Sequence, residues 1–144
     1  MKKLIMVIMA AFAFFSCESS NPKLVEFSQL PANAQSIIKT HFADKVISTI
    51  FYENDLFDKD YEVRFEDGSK IDFDGNGEWT NIEVKKNGGV PVGIIPSAIN
   101  SYVSSKHPNH YVIDIEKDCR EYNVELNNGI DMVFGKDGNF KRYD

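Results

Sequence analysis

The sequence is poor in the residues that carry covalent, redox or metal chemistry. Its 144 residues include two cysteines, Cys17 and Cys119, and three histidines, His41, His107 and His110. Two cysteines cannot build the disulfide framework of a small stapled domain, and no Cys/His pairs stand at zinc-ligand spacing. The chain has no G-x-S-x-G, no H-E-x-x-H, no Walker loop and no dinucleotide-binding glycine pattern. No enzyme class is therefore indicated and no cofactor is implied. Positive charge is also short: 16 Lys and Arg against 22 Asp and Glu give a net charge of −6. Such a chain repels phosphate backbones, so nucleic acid is not an expected partner. The longest uncharged apolar run, Leu4 to Phe15, has 12 residues, short of the roughly 20 that a membrane-spanning helix needs.

What the sequence does have is an internal copy. Shifted by 61 positions, Tyr61–Trp79 (YEVRFEDGSKIDFDGNGEW) lies over Tyr122–Phe140 (YNVELNNGIDMVFGKDGNF). Val63 meets Val124, Phe65 meets Leu126, Ile71 meets Met132, Phe73 meets Phe134 and Trp79 meets Phe140. The turn glycines coincide as well, Gly68 with Gly129 and Gly77 with Gly138. Self-similarity at a fixed period marks a duplicated structural unit.

Each copy begins with a helix. Leu30-Pro31 and Ile95-Pro96 open the two, since proline suits a helix start, where its missing N–H costs nothing. Ala34, Ile37, Ile38 and Phe42 recur at three- and four-residue steps in the first, and Ile99, Tyr102 and Val103 do so in the second. The helices match at a shift of 65, so repeat two is four residues shorter, and the difference falls around Asn54–Asp60. Strands follow each helix. Val46–Tyr52 is β-branched and aromatic; Tyr111–Glu116 alternates, which directs Tyr111, Ile113 and Ile115 inward and Asp114 and Glu116 outward. Two hairpin strands and a last strand complete each copy. Strict alternation breaks between Trp79 and Ile82, and again between Phe140 and Tyr143, which predicts a bulge shared by both copies.

The expected fold class is α+β: two tandem α-β-β-β-β repeats forming one antiparallel sheet of about eight strands, with two helices packed on one face. Repeat one spans 27–87 and repeat two 90–144. The other sheet face is expected to be polar, carrying Glu62, Glu66, Asp72, Asp114, Glu116, Glu125 and Asp131 with Arg64 and Lys70. Most of Tyr52, Tyr61, Trp79, Tyr102, Tyr111, Tyr122 and Tyr143 are expected on the core side.

Ahead of this domain, residues 1–16 read as an export signal: Lys2 and Lys3, then the apolar run, then the small Ser16. Ser16-Cys17 resembles the lipobox of bacterial lipoproteins, which implies cleavage before Cys17 and a diacylglycerol on its thiol. Residues 17–26 then form a lipidated tether. Losing the first sixteen residues leaves 128 of 144 and takes the net charge from −6 to −8. The expected location is the cell envelope, lipid-anchored in the periplasm or at the cell surface, or secreted if Cys17 is not acylated. With Cys17 acylated, Cys119 has no partner for an intramolecular disulfide.

The tandem pattern, the Leu30-Pro31 and Ile95-Pro96 helix starts and the Asp-Gly and Asn-Gly hairpins resemble the PepSY-like domains of envelope lipoproteins. That group is related in fold to the β-lactamase inhibitory protein, itself a tandem repeat. The resemblance covers about Phe27 to Asp144. It implies a sheet whose open face receives a partner, which in some relatives is an enzyme being inhibited. The expected function is therefore a non-catalytic envelope domain that binds a protein or peptide through its sheet face or loops, with inhibition as one use of that binding. No particular contact residue follows from the resemblance.

One local motif supports an alternative. Asp72, Asp74 and Asn76, with Glu83 eleven residues after Asp72, match the calcium-loop template, in which oxygens at positions 1, 3, 5 and 12 wrap one cation. That template needs flanking helices, and both flanks here read as strands. In a hairpin, Glu83 would lie about four residues, roughly 13 Å, along the strand from the turn. The two readings are a small-ligand or calcium-binding loop and a plain hairpin turn. His107 and His110 flank Pro108 near the end of the second helix, where a charged imidazole suits the helix dipole.

Overall fold

The computed structural model describes residues 21–85 and 88–144. The proposed signal and tether residues 17–20, Cys17 among them, lie outside the described residues. Helix α1 spans Ala32–His41 and α2 spans Ser97–Lys106. The strands are β1 (Lys23–Leu24), β2 (Ile47–Asn54), β3 (Lys59–Phe65), β4 (Lys70–Asp74), β5 (Trp79–Glu83), β6 (Val112–Lys117), β7 (Glu121–Leu126), β8 (Asp131–Gly135) and β9 (Phe140–Tyr143). All nine form one antiparallel sheet in sequential order. The expected α+β sheet is present. Its ninth strand, β1, is a two-residue segment with no alternation of its own; it is defined by pairing Lys23 with Tyr52 and Leu24 with Phe51.

The two copies match down to backbone detail. Pro31 and Pro96 occupy the N-cap position of their helices. Behind each, an amide side chain reaches back to a carbonyl that precedes the helix: Gln35 Nε2 to Leu30 O at 2.9 Å, and Asn100 Nδ2 to Ile95 O at 3.2 Å. Gly77 and Gly138 both have positive φ, 80° and 82°. A Cβ on Gly77 would sit 2.8 Å from Ala34 N and Pro31 Cβ, and one on Gly138 would sit 2.8 Å from Ala98 Cβ. The β4–β5 and β8–β9 turns therefore press against the start of their own helix, and only glycine gives both the left-handed turn and the clearance.

The bulge expected in the last strand of each copy is present, with register shifts at Asp72/Phe73 opposite β5 and at Val133/Phe134 opposite β9. A second matched pair corrects one sequence expectation. Register also shifts between Ile47 and Thr49 in β2 and between Val112 and Asp114 in β6. Ile113 is the extra residue, so the inward set is Val112 and Ile115, whereas Tyr111 is 43% exposed. Simple alternation from Tyr111 fails because a bulge inverts the facing of residues on one side of it.

The copies join at β5–β6, where Ile82 pairs with Ile115. Both are fully buried, in one core cluster that takes Ala34 and Ile38 from α1, Ile99 and Val103 from α2, and the inward residues of both sheet halves. Trp79 and Phe140 occupy equivalent places after their turns. Trp79 lies near Tyr122, and Phe140 stacks on Tyr102 at 4.5 Å. Phe140 is less buried because β9 is the sheet edge.

The four-residue difference between copies is in the β2–β3 hairpin. Tyr52↔Tyr61 corresponds to Lys117↔Tyr122, but repeat one adds the pairs Glu53↔Asp60 and Asn54↔Lys59 before its turn. Its tip carries Leu56 and Phe57, each 95% exposed.

Candidate functional site

The helices cover one sheet face; among the described residues, no helix or strand packs on the other. Strand register decides how charges are arranged on this open face. Glu83 of β5 pairs with Asp114 of β6, Asp114 with Glu125 of β7, and Glu125 with Asp131 of β8. Four carboxylates thus stand in one row across four neighbouring strands. Like charges directly opposite one another oppose sheet formation. Burial, with Glu83, Glu125 and Glu116 around it, pushes the Asp114 carboxyl up to about 7. Burial and Asp131 raise Glu125, and burial and Asp144 raise Asp131. Lys85 pairs with Glu83 at one end of the row.

The β1–β4 half of the face is mixed in sign. Lys70 lies 3.2 Å from Asp72 and 3.9 Å from Glu62, and Arg64 pairs with Glu62 while lying over the Phe51 ring at 4.8 Å. Pro22, Phe51, Glu53, Asp60, Arg64 and Asp72 help line a groove of about 520 Å³ there. An aromatic ring beside charges in an open groove suits a peptide with mixed polar and apolar side chains.

The calcium-template residues are not brought together. Asp74 Oδ1 caps its own turn, accepting from Asn76 N at 2.9 Å and Glu78 N at 3.0 Å. Asp72 points into the Lys70–Asn81 neighbourhood. Glu83 is in register with Lys70, far down the strand from the turn. The sharp bend does fall at Gly77, the template's sixth position, with φ 80°, but that glycine serves the hairpin turn equally. Among the described residues, no three His, Cys, Asp or Glu side chains gather around one point. His107 caps the end of α2, with Nε2 3.3 Å from Tyr143 OH. Cys119 is exposed in the β6–β7 turn. Of the aromatics expected on the core side, Trp79 is in the core and Tyr61, Tyr102 and Tyr122 pack against it, whereas Tyr111 and Tyr143 are exposed.

A family model described as "Putative beta-lactamase-inhibitor-like, PepSY-like" matches residues 17–63 and 59–142. The chain belongs to the PepSY-like family. Three solved structures agree with this across nearly their whole length. One, described as a putative periplasmic protein from Bacteroides vulgatus, is 38% identical, with a TM-score of 0.82 over 88% of this chain and 99% of that one. A putative calcium-regulated periplasmic protein from Bacteroides thetaiotaomicron is 37% identical, with a TM-score of 0.80 over 85% and 96%. A second Bacteroides vulgatus protein, described as periplasmic and of unknown function, is 31% identical, with a TM-score of 0.78 over 86% and 99%. The search of curated proteins gave no match. The relatives' descriptions support an envelope location for this PepSY-like chain.

Proposed function

We propose that this PepSY-like chain is a non-catalytic envelope lipoprotein, anchored through Cys17, whose open sheet face receives a basic segment of a partner protein. One observation carries the reading: the Glu83–Asp114–Glu125–Asp131 row. A sheet folding for its own stability would alternate charge sign across these pairs. Here the like charges sit on the face left open, and an incoming lysine or arginine would offset their repulsion. Departures from local stability rules concentrate where a protein binds or reacts. Inhibition of an enzyme is one use such a face could serve.

The test is titration of the domain with synthetic peptides of equal length carrying positive, neutral or negative net charge. The reading expects saturable binding of the cationic peptide, weakened by salt and lost in a Glu83→Gln, Glu125→Gln, Asp131→Asn triple variant. Equal affinity for all three peptides, or none for any, would refute it. Calcium binding is the second reading, and its support is the description of the Bacteroides thetaiotaomicron relative as calcium-regulated. It requires Tm to rise in excess calcium and to return with chelator; an unchanged Tm removes it.

A further inference from the structure

We infer that the β2–β3 hairpin tip is a second membrane contact, inserting Leu56 and Phe57 into the surface of the bilayer that holds the lipid on Cys17. The inference rests on the anchoring read above. Its structural basis is the direction of the chain at β1. Lys23 pairs with Tyr52, and β1 runs antiparallel to β2. Because β2 runs toward the tip, the residues that precede Lys23 leave the domain at the tip end. Pro22 already lines the groove together with Glu53 and Asp60, the first rung that the longer hairpin adds.

Lengths make the contact feasible and also constrain it. Lys23 is six residue steps beyond Cys17, so the tether reaches about 20 Å when fully extended. From the level of Tyr52 to Leu56 and Phe57 is about four residues, roughly 13 Å at strand rise. The tether is therefore about 7 Å longer than the tip is tall. Short of full extension, it brings the tip level with Cys17 and lets the tip's apolar side chains enter the headgroup and acyl boundary. A tether this short keeps the tip at high local concentration beside the membrane. Repeat two carries no counterpart, because its hairpin ends two rungs earlier at Asp118–Arg120.

The tip's chemistry selects the kind of surface. Leu56 and Phe57 are each 95% exposed, more than any other large apolar side chain described. Glu53, Asp55, Asp58 and Asp60 surround them, with Lys59 as the one cation in the hairpin turn and its added rungs. Acidic flanks repel an anionic leaflet, so the expected surface is zwitterionic.

The test uses the chain from Cys17 onward with Cys119→Ser, coupled through the Cys17 thiol to a maleimide lipid in phosphatidylcholine vesicles with brominated acyl chains. Phe57→Trp is the reporter, and the buried Trp79 signal is subtracted using the chain with Phe57 intact. The expected result is a blue shift and at least twofold quenching of the residue-57 indole, with neither for Glu66→Trp at the opposite end of β3. Water-like, unquenched emission at 57 on fully coupled vesicles would overturn the inference. Equal quenching at 57 and 66 would also overturn it, as would a photoreactive residue at 57 that crosslinks an envelope protein and no lipid. Anchoring is read separately by incorporation of labelled palmitate in cells, lost in Cys17→Ser. Label without tip quenching sinks the tip contact alone, whereas absence of label sinks the anchor and the contact with it.

Discussion

Replacing Asp114 with asparagine should stabilise the domain, and the gain should depend on pH in a defined way. The folded chain holds the Asp114 proton from an ordinary value of 3.8 up to about 7, through burial and through Glu83, Glu125 and Glu116. The folded carboxyl therefore binds its proton more tightly than the unfolded one, and stability falls as pH rises between those values. The penalty is absent below about pH 4 and complete above about pH 7. About three pKa units at roughly 1.4 kcal/mol each set a ceiling near 4 kcal/mol. Asp114 is half-buried and Lys70 offsets part of the repulsion, so solvent screening reduces the expected gain to about 2 kcal/mol. For a domain of this size that corresponds to about 6–10 °C in Tm at pH 8. Urea unfolding of both proteins from pH 4 to pH 8 measures it. A variant no more stable at pH 8, or one whose gain is the same at pH 4, would refute the argument that the row is electrostatically strained.

Other expectations concern the scaffold. Gly77→Ala should cost about 2–3 kcal/mol, because positive φ and contact with Ala34 and Pro31 act together. Gly129→Ala, with positive φ but open space around it, should cost only about 1 kcal/mol; equal losses in denaturant melts would contradict the helix contact. At Asp67, burial opposes ionisation, but hydrogen bonds from Lys45 and Ser69 bring the carboxyl down to about 2. Asp67→Asn should therefore cost about 1 kcal/mol near neutrality, a difference that fades as pH falls from about 4 through about 2; acid titration of both proteins checks it. Ile82→Ala and Ile115→Ala should each cost about 3 kcal/mol while unfolding stays a single transition by circular dichroism and fluorescence. Two separated transitions would mean that the copies do not share one core.

Local chemistry carried most of the architecture. Pro31 and Pro96, the paired turn glycines and the apolar matches between copies are signals written in single residues, and each has the structural role its chemistry demands. The broken alternation after Trp79 and Phe140 was legible as a bulge because apolar residues bracket it. The bulge at Ile113 was not, since Tyr111, Ile113 and Ile115 are all apolar and an unbroken alternation fits them equally well. The β1 strand was hidden for another reason: two residues have no period, and only pairing with β2 defines them. The outward carboxylates could be read from alternation, but not their alignment in one row. That alignment depends on which residues oppose one another across β5–β8, including the β5–β6 junction between copies, and Glu83 enters the row only through that register. In the calcium-template segment, spacing along the chain suggested proximity that strand geometry does not provide.

The most direct measurement of the docking claim is an amide NMR titration of the isotope-labelled domain with the cationic peptide. Docking on the carboxylate row gives shift changes concentrated at Glu83, Asp114, Glu125 and Asp131 and their strand neighbours, suppressed by salt and absent with the anionic peptide. Changes centred on α1 and α2, or spread evenly over the domain, would contradict it.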